Sequence, residues 1–255
     1  MQHHTPDRVL VIGATGSIGC HVVDRAGRAG LEVRALARDP RRAASLLGSS
    51  SEHVEVVAGD LTDRASLKAA VADLSDNDAI VFTHGGDAAP ERVSYGGVAS
   101  VLDALGERRP RIALMSSINV TRDDNGSYQS LLDWKRRGER LVRVFGAPYT
   151  IVRPGWFGGG GIQRPVLRQG DTSASGAVSR ETVAEVLVRT LTSAAAVGRT
   201  FELFSEPGAA PSDWDTVFTT VDPDSGLDGA HDAATLPVTG EPSNVRADLD
   251  RYLHQ

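Results

Sequence analysis

Apolar residues in the first part of the chain fall into short β-rich runs separated by stretches with helical spacing. Strands are predicted at residues 8–12, 32–37, 53–57, 78–83, 111–115 and 149–152. Helices are predicted at residues 17–29, 41–47, 64–74 and 129–145, and another around Val98, Val101, Leu102 and Leu105, at i, i+3, i+4, i+7 spacing. Strands that alternate with helices form right-handed crossovers, so the pattern predicts an α/β fold with a parallel, doubly wound sheet.

The pattern becomes less regular after Pro154. A run of four glycines at 158–161 is too flexible for the interior of an element. Further along, a helix is predicted around 183–191, a strand at 199–204 and a short helix at 245–253. We therefore expect a core over residues 1–155, a region over 156–220 with elements that complete the core, and an extension over 221–255. The extension is rich in Asp, Pro, Gly and Ser, and we expect it to lie on its own domain or on a partner subunit.

Composition excludes several classes of protein. The 255 residues carry a net charge of −6, which argues against a nucleic-acid partner. No run of 18 apolar residues occurs and the segment MQHHTPDR has no apolar signal region, so we expect a cytoplasmic protein without a membrane span. A single cysteine, Cys20, excludes a disulfide framework and a cysteine-rich zinc site, and no metal site is predicted. Only two of the 27 basic residues are lysines, Lys68 and Lys135.

The segment Gly13-Ala14-Thr15-Gly16-Ser17-Ile18-Gly19 joins the first strand to the first helix. Gly13 permits a tight turn, Gly16 lets the backbone approach a pyrophosphate, and Gly19 allows the helix to pack closely on the sheet. The free amides at the start of the helix bind anionic phosphate. The motif therefore predicts a dinucleotide site, with cofactor contacts from Gly13, Thr15, Gly16, Ser17, Ile18 and Gly19.

The end of the second strand decides between two cofactors. A carboxylate at this place binds the ribose 2′-hydroxyl of NAD, whereas an arginine suits the 2′-phosphate of NADP. The chain has Arg38 there, which favours NADP, and the adjacent Asp39 leaves NAD as the alternative.

Two further loops follow strands at the edge of the sheet where ligands bind. Asp60 and Leu61 follow the third strand, and Asp60 is expected either to accept from the adenine amino group or to cap a helix. Thr83, His84 and Gly85 follow the fourth strand, where small residues let a cofactor ribose lie close. His84 is interpreted as a cofactor-side residue that is either a proton donor or a bystander.

Eight segments together resemble one known family. They are, in chain order, GATGSIG, VRALARDP, VAGDLTD, LMSSINV, the helix that contains Lys135, YTIVRPG, VSRETVAEVLV and GRTFEL. Over about residues 8–205 the chain resembles the atypical short-chain dehydrogenase/reductase group, with its NmrA-like NAD(P)-binding members and its flavin/biliverdin-reductase-like members. The resemblance implies a Rossmann-type sheet as the NAD(P)-binding core, a small C-terminal substrate-capping region at 156–220, and NADP(H) or NAD(H) as the ligand.

Reductases of this family use a Ser or Thr after the fifth strand and a Tyr-x-x-x-Lys pair on the next helix. The resemblance places Ser117 and Lys135 at the catalytic positions, with Ser116 and Lys135 also at the cofactor. In that chemistry the tyrosine exchanges a proton with the substrate, while the lysine lowers the phenol pKa and holds the nicotinamide ribose. Here Leu131 stands four residues before Lys135 and cannot donate a proton. Tyr128, roughly 10 Å from the lysine along a helix axis, is interpreted as a loop tyrosine that would substitute only if the helix start bends toward the cofactor.

The segment Arg153-Pro154-Gly155-Trp156-Phe157 follows the sixth strand. The resemblance places Pro154 and Gly155 at the nicotinamide. Trp156 and Phe157 are either walls of an apolar substrate pocket or core residues beneath the C-terminal cap, and Tyr128 is a further candidate for substrate contact.

Three functions remain open from the sequence. We favour an NAD(P)H-dependent oxidoreductase that transfers hydride to a flat conjugated carbonyl, quinone or flavin-like substrate, because such acceptors need little help from an acid. The second hypothesis is a non-catalytic, NmrA-like NADP redox sensor, with the extension as a docking surface or as the contact of a homodimer. The third is a tailoring enzyme of secondary metabolism, acting for example on aromatic polyketides.

Overall fold

The computed structural model describes residues 5–48, 53–86, 88–173 and 175–253, so half of the segment MQHHTPDR lies outside it. The strands are β1 (Arg8–Ile12), β2 (Glu32–Ala37), β3 (Val54–Ala58), β4 (Ala79–Phe82), β5 (Arg111–Met115), β6 (Tyr149–Pro154), β7 (Trp156–Phe157), β8 (Arg164–Arg168), β9 (Ala177–Val178) and β10 (Arg199–Glu206). The helices are α1 (Gly19–Arg28), α2 (Pro40–Leu47), α3 (Arg64–Ala70), α4 (Gly96–Leu105), α5 (Gln129–Val144), α6 (Arg180–Thr192), α7 (Trp214–Phe218) and α8 (Ser243–Leu253). A π-helical turn, Glu91–Tyr95, leads directly into α4.

Eight strands of the described part of the chain form one sheet in the order β3-β2-β1-β4-β5-β6-β10-β8. All neighbours are parallel except β10 and β8, which are antiparallel. The expected Rossmann-type, doubly wound sheet is confirmed. In this strand order the chain reverses direction across the sheet between β1 and β4, and ligands bind beyond the carboxyl ends of the strands at such a point.

The sheet is covered on both faces, because successive side chains of a strand point to opposite sides. Val9 and Val11 face one core with α1 and α6, whereas Leu10 and Ile12 face the other core with α3, α4, α5 and α8. These β1 side chains are fully buried. Because both faces of these strands are buried, their sequences are nearly continuous apolar runs and do not alternate between apolar and polar residues.

Several element ends differ from the sequence prediction. The first helix begins at Gly19 rather than at residue 17, because the glycine turn occupies the preceding positions. The third helix ends at Ala70 rather than at residue 74. Arg34 donates to the carbonyl oxygen of Ala70, and Arg108 donates to those of Ala72 and Leu74 beyond the helix end. The sequence prediction did not contain β7, β8, β9 or α7.

The extension folds back onto α5 of its own chain. Arg136 and Arg140 both donate to Asp228, at 3.1 and 2.9 Å, and Arg137 and Arg140 both donate to Glu241, at 2.5 and 2.7 Å. All three arginine side chains are buried. Arginine suits these positions because one planar guanidinium serves two partners, which a lysine cannot do in the same geometry. A homodimer through this region stays a prediction.

Helix α8 completes this layer over α5. Its Val245 and Leu249 are buried in the core beneath it, and Tyr252 meets Phe145 edge to face at 5.3 Å. Within the described ranges, none of the helices is both long enough and apolar enough to cross a membrane.

Candidate functional site

A cleft of about 530 Å³ opens at the carboxyl edge of the sheet, above β1, β2, β3 and β4. Most of the sequence-predicted cofactor residues line it, namely Gly13, Thr15, Gly16, Arg38, Asp60, Leu61, Thr83, His84 and Gly85. Ser17 is exposed outside the lining, and Ile18 and Gly19 are buried beneath the loop. The structure thus brings four separate loops to one site, as the strand order requires.

The glycine turn has no room for side chains. Gly13 has φ +84°, and a Cβ there would lie 2.8 Å from the backbone nitrogen of His84. A Cβ on Gly19 would lie 2.1 Å from the carbonyl oxygen of Gly13. The Gly16 amide closes the turn by donating to Gly13 O at 2.9 Å. The backbone is therefore held tightly against the loop after β4, and Gly13, Thr15 and Gly16 of the turn line the cleft.

Two arginines and one constrained carboxylate set the charge of the cleft. Arg38 and Arg92 are exposed and line it together. The Asp60 carboxylate accepts from both the amide and the hydroxyl of Thr62 at 2.8 Å. These bonds, and more weakly Arg38 and Arg92, hold the pKa of Asp60 below its usual value. Asp39, the residue that would favour NAD, caps α2 by accepting from the amide of Arg42 at 3.0 Å.

A second cavity of about 320 Å³ lies beside α5. Its lining joins the predicted catalytic serine to the predicted nicotinamide loop and to two aromatic side chains: Ser117, Ile118, Asn119, Asn125, Tyr128, Leu131, Leu132, Pro154, Gly155 and Trp156. Pro154 and Gly155 lie here rather than in the first cleft. Leu131, where the family keeps its tyrosine, gives this wall a side chain without a proton donor.

The aromatic residues at this cavity are exposed. Trp156 is 57% exposed and Phe157 is 43% exposed, so the alternative that they are core residues is wrong. Trp156 forms part of the cavity wall, whereas Phe157 lies outside it beneath Arg180, with the guanidinium 5.2 Å from the ring centre. Tyr128 is 52% exposed and lines the same cavity as Ser117. The structure thus brings Tyr128 closer to the predicted chemistry than its interpretation as a loop tyrosine implied.

The Lys135 amine lies beneath the first cleft. Its Nζ donates to the carbonyl oxygen of Ser116 at 3.3 Å, and a Cβ on Gly85 would lie 3.5 Å from it. Burial lowers the pKa of Lys135 to about 8, against the opposing charge of Glu139. Ser117, the next residue after Ser116, lines the second cavity. Lys135 lines neither of these two cavities, but its amine lies next to Gly85 of the first and next to Ser116, which precedes Ser117 of the second.

Sequence reasoning missed other lining residues. Arg92 and Val93 come from the π-helical turn, which the pattern did not predict, although the loop after β4 was expected at this edge. Asn119 and Asn125 come from the loop after β5. The sequence signal that could have identified them is their position after a strand that ends at the ligand-binding edge of the sheet. Without a motif, that signal is weak.

Comparison with protein families gives a match over most of the chain. A family model described as NAD(P)H-binding matches residues 13–194. That span begins at the glycine turn and includes Lys135 and all lining residues of both cavities except Ile12.

Curated relatives match parts of the chain. The protein TIC 62, chloroplastic, of Oryza sativa subsp. japonica is 29% identical over 217 residues, which cover 71% of this chain and 42% of that protein. The (4-alkanoyl-5-oxo-2,5-dihydrofuran-3-yl)methyl phosphate reductase of Streptomyces griseus is 34% identical over 149 residues, which cover 58% of this chain and 48% of that protein. The chain spans less than half the length of either relative.

Among solved structures, the anaerobillin reductase ChuY from Escherichia coli O157:H7 is similar with a TM-score of 0.67 at 22% identity. The similarity covers 80% of this chain and 100% of that one. At this level of identity the likeness supports the fold.

Proposed function

We propose, from the premise that this chain belongs to the NAD(P)H-binding family and its atypical short-chain dehydrogenase/reductase group, that it is an NADPH-dependent reductase of a flat conjugated carbonyl, quinone or flavin-like substrate. The observation that carries the proposal is the place of Lys135 between residues of the two cavities. The glycine turn lines one cavity and Trp156 lines the other. Lys135 Nζ lies next to Gly85 of the first cavity and donates to the carbonyl oxygen of Ser116, whose neighbour Ser117 lines the second.

The first cleft fits an NADP molecule. The closeness of Gly13 to β4 leaves the backbone amides as the surface that a pyrophosphate meets. Neither Arg38 nor Arg92 forms a salt bridge with another described residue, and two such guanidinium groups on one cleft suit a 2′-phosphate. Asp39 is engaged as a helix cap, which weakens the case for NAD.

The residues of the chain divide the chemistry between the two cavities. NADPH, when bound, supplies a hydride. In this proposal Lys135 holds the ribose side of the cofactor. Since Leu131 offers no proton, the Lys135 ammonium supplies the proton to the substrate oxygen. The Ser117 hydroxyl donates to that oxygen, and Trp156 with Tyr128 holds a flat ring against the cavity.

The shape and lining of the second cavity favour a conjugated, planar acceptor. Its walls are mainly apolar or aromatic, with Ser117, Asn119 and Asn125 as the polar groups. The Streptomyces griseus relative is named as the reductase of a 5-oxo-2,5-dihydrofuran, a conjugated ring carbonyl. A conjugated acceptor spreads the charge that develops on reduction, so it needs less from the missing phenol.

Purified protein is expected to oxidise NADPH with at least one member of a panel of quinones, flavins and conjugated ring ketones. The loss of NADPH absorbance measures this oxidation. With that substrate, Trp156→Ala is expected to raise KM about tenfold through loss of an aromatic wall. Phe157→Ala is the matched control, because Phe157 is the neighbouring exposed aromatic outside the cavity. Binding of NADPH without oxidation by any member of the panel would show that the reductase proposal is wrong.

That outcome would favour the second function, an NADP-binding sensor. Leu131 in place of the tyrosine is the observation that supports it. A sensor requires the nucleotide cleft but not the place of Lys135 between residues of the two cavities.

Arg38→Ala is expected to weaken NADPH binding about 10- to 100-fold, since a charge-assisted hydrogen bond to the 2′-phosphate is lost. NADH, which has no such phosphate, is expected to bind unchanged. Titration calorimetry with both nucleotides measures the two affinities. Arg41→Ala is the matched control, because Arg41 is an exposed arginine three residues away that does not line the cleft. Equal losses for NADPH and NADH would overturn the assignment of Arg38 to the 2′-phosphate.

A further inference from the structure

A third cavity has Lys135 in its lining. It has a volume of about 10 Å³, close to the least that one water needs. His84 from the loop after β4, Ser94 from the π-helical turn, Ser116 from the end of β5 and Lys135 from α5 meet around it. Four elements of the fold thus point polar groups into a space that fits one small molecule.

Three of these four side chains carry buried polar atoms without a hydrogen-bond partner among the described residues. They are both ring nitrogens of His84 and the hydroxyl oxygens of Ser94 and Ser116. Ser94 and Ser116 are 6% and 5% exposed. The backbone of Val93 lies beside the imidazole, but neither ring nitrogen reaches it in hydrogen-bond geometry. Leaving such groups unpaired costs free energy, so a shared partner is expected.

Two glycines make room for this arrangement. A Cβ on Gly97 in α4 would lie 2.6 Å from Nε2 of His84, so only glycine lets the ring pack there. Gly138 lines the cavity one helical turn after Lys135, and a Cβ on it would have its nearest neighbours at 3.4 and 3.7 Å. The cavity therefore exists because α5 lacks a side chain at this position.

We propose that this cavity binds one water, which accepts a hydrogen bond from the Lys135 ammonium and donates to His84, with Ser94 and Ser116 as its further partners. His84 is then a positioning residue that acts on Lys135 through the water. Its consequence for turnover rests on the proposed reductase function, in which Lys135 is the proton donor. The water site itself does not depend on that function.

The protonation states agree with this geometry. Burial, and then the charge of Lys135, lowers the pKa of His84 to about 4, so the imidazole is neutral at pH 7 and offers an acceptor nitrogen. The charged group that faces Lys135 from its own helix is Glu139, which raises its pKa. From the other elements around the cavity come only His84 and the uncharged Ser94, Ser116, Val98, Leu114 and Met115. A hydrogen bond to the ammonium favours its charged form, so the water raises the pKa of Lys135.

The scarcity of lysine makes this testable by NMR. Full-length protein labelled with ¹³C at lysine Cε gives two signals, from Lys135 and from the exposed Lys68, which serves as the internal reference. His84→Phe keeps an aromatic ring but removes both nitrogens, and is expected to lower the pKa of Lys135 by about one unit. His84→Gln, which keeps a donor and an acceptor, is expected to restore most of the shift.

Gly138→Ala tests the water without touching a polar group. The added methyl fills the cavity, and alanine is the better helix former, so the pKa of Lys135 is expected to fall while the protein stays folded. Ser116→Ala gives the same direction if His84→Phe fails to fold. An unchanged or raised pKa of Lys135 in His84→Phe or Gly138→Ala would overturn the water site. This readout needs no substrate, so it separates failure of the water site from failure of the reductase function.

Discussion

Replacing Lys135 with methionine is expected to lower kcat by about 10²- to 10⁴-fold, the usual range for a lost general acid. Methionine matches the length of the lysine stem but offers no proton. Leu131 cannot take over this role, whereas the Lys135 amine lies next to Gly85 of the first cavity and Ser116, the neighbour of Ser117 in the second. Steady-state kinetics with NADPH and the substrate found in the panel measures the loss.

The pH dependence of kcat is a second, independent test of Lys135 as the proton donor. With the pKa of Lys135 lowered to about 8, the ammonium that donates is present below that pH and is lost as the pH rises through it. The kcat of the wild-type protein is therefore expected to fall above pH 8. Lys135→Arg keeps a charge that does not titrate in this range, so any residual activity is expected to show no such fall.

Tyr128→Phe is the control for the choice of donor. Tyr128 lines the same cavity as Ser117 and carries the one phenol in that lining. Its hydroxyl is expected to contribute less than tenfold. If Tyr128→Phe abolishes turnover while Lys135→Met retains it, then Tyr128 is the acid and the assignment of Lys135 is wrong.

Replacing Arg153 with methionine is expected to destabilise the protein by about 3–5 kcal/mol, the cost of removing one partner from a buried ion pair. Arg153 donates to Glu139 and to Asp232 at 2.7 Å, and to Glu202 at 3.3 Å. All four side chains are about 1% exposed or less. The variant leaves three carboxylates in the interior without their shared cation. Urea unfolding of the wild-type protein and of Arg153→Met, both at about pH 7.5, measures the difference in their free energies of unfolding.

Glu202→Gln is the matched control within this cluster. Burial raises the pKa of Glu202 to about 7, so its charged form is the disfavoured one in the folded protein. The protonated carboxyl of Glu202 makes its full contribution to the free energy of unfolding in acid, and that contribution is lost as the pH rises through about 7. Removing the charge is therefore expected to cost far less than removing Arg153, and a loss as large as that of Arg153→Met would contradict the account of the cluster.

Local patterns in the sequence predicted the sheet well. β1, β2 and β5 have the predicted bounds, because a buried parallel strand is a continuous apolar run that ends at a turn. The glycine turn was also predictable, since all the residues that define it lie within one segment of seven. β8 was not predictable, because it depends on antiparallel pairing with β10, some 40 positions further along the chain.

The charged face of α5 shows where sequence patterns fail. Arg136, Arg140 and Arg143 are spaced as on an exposed helix face, yet they are buried by Asp224 and Asp228 of the extension. Nothing near an arginine in the sequence reveals a partner about 80 to 90 residues away. The small cavity at Lys135 was hidden for the same reason, since five separate parts of the fold form it and each contributes between one and three residues.

The return of the extension onto α5 sets an order of events during synthesis. The nucleotide cleft is built from residues up to Val93, so its parts leave the ribosome early. Four arginines of helix α5 lack their partners from the extension until Asp224, Asp228 and Glu241 have followed, namely Arg136, Arg137, Arg140 and Arg143. We therefore expect the residues of the cleft to be available to a nucleotide before helix α5 gains its partners, and a nucleotide bound at that stage would stabilise the part already folded.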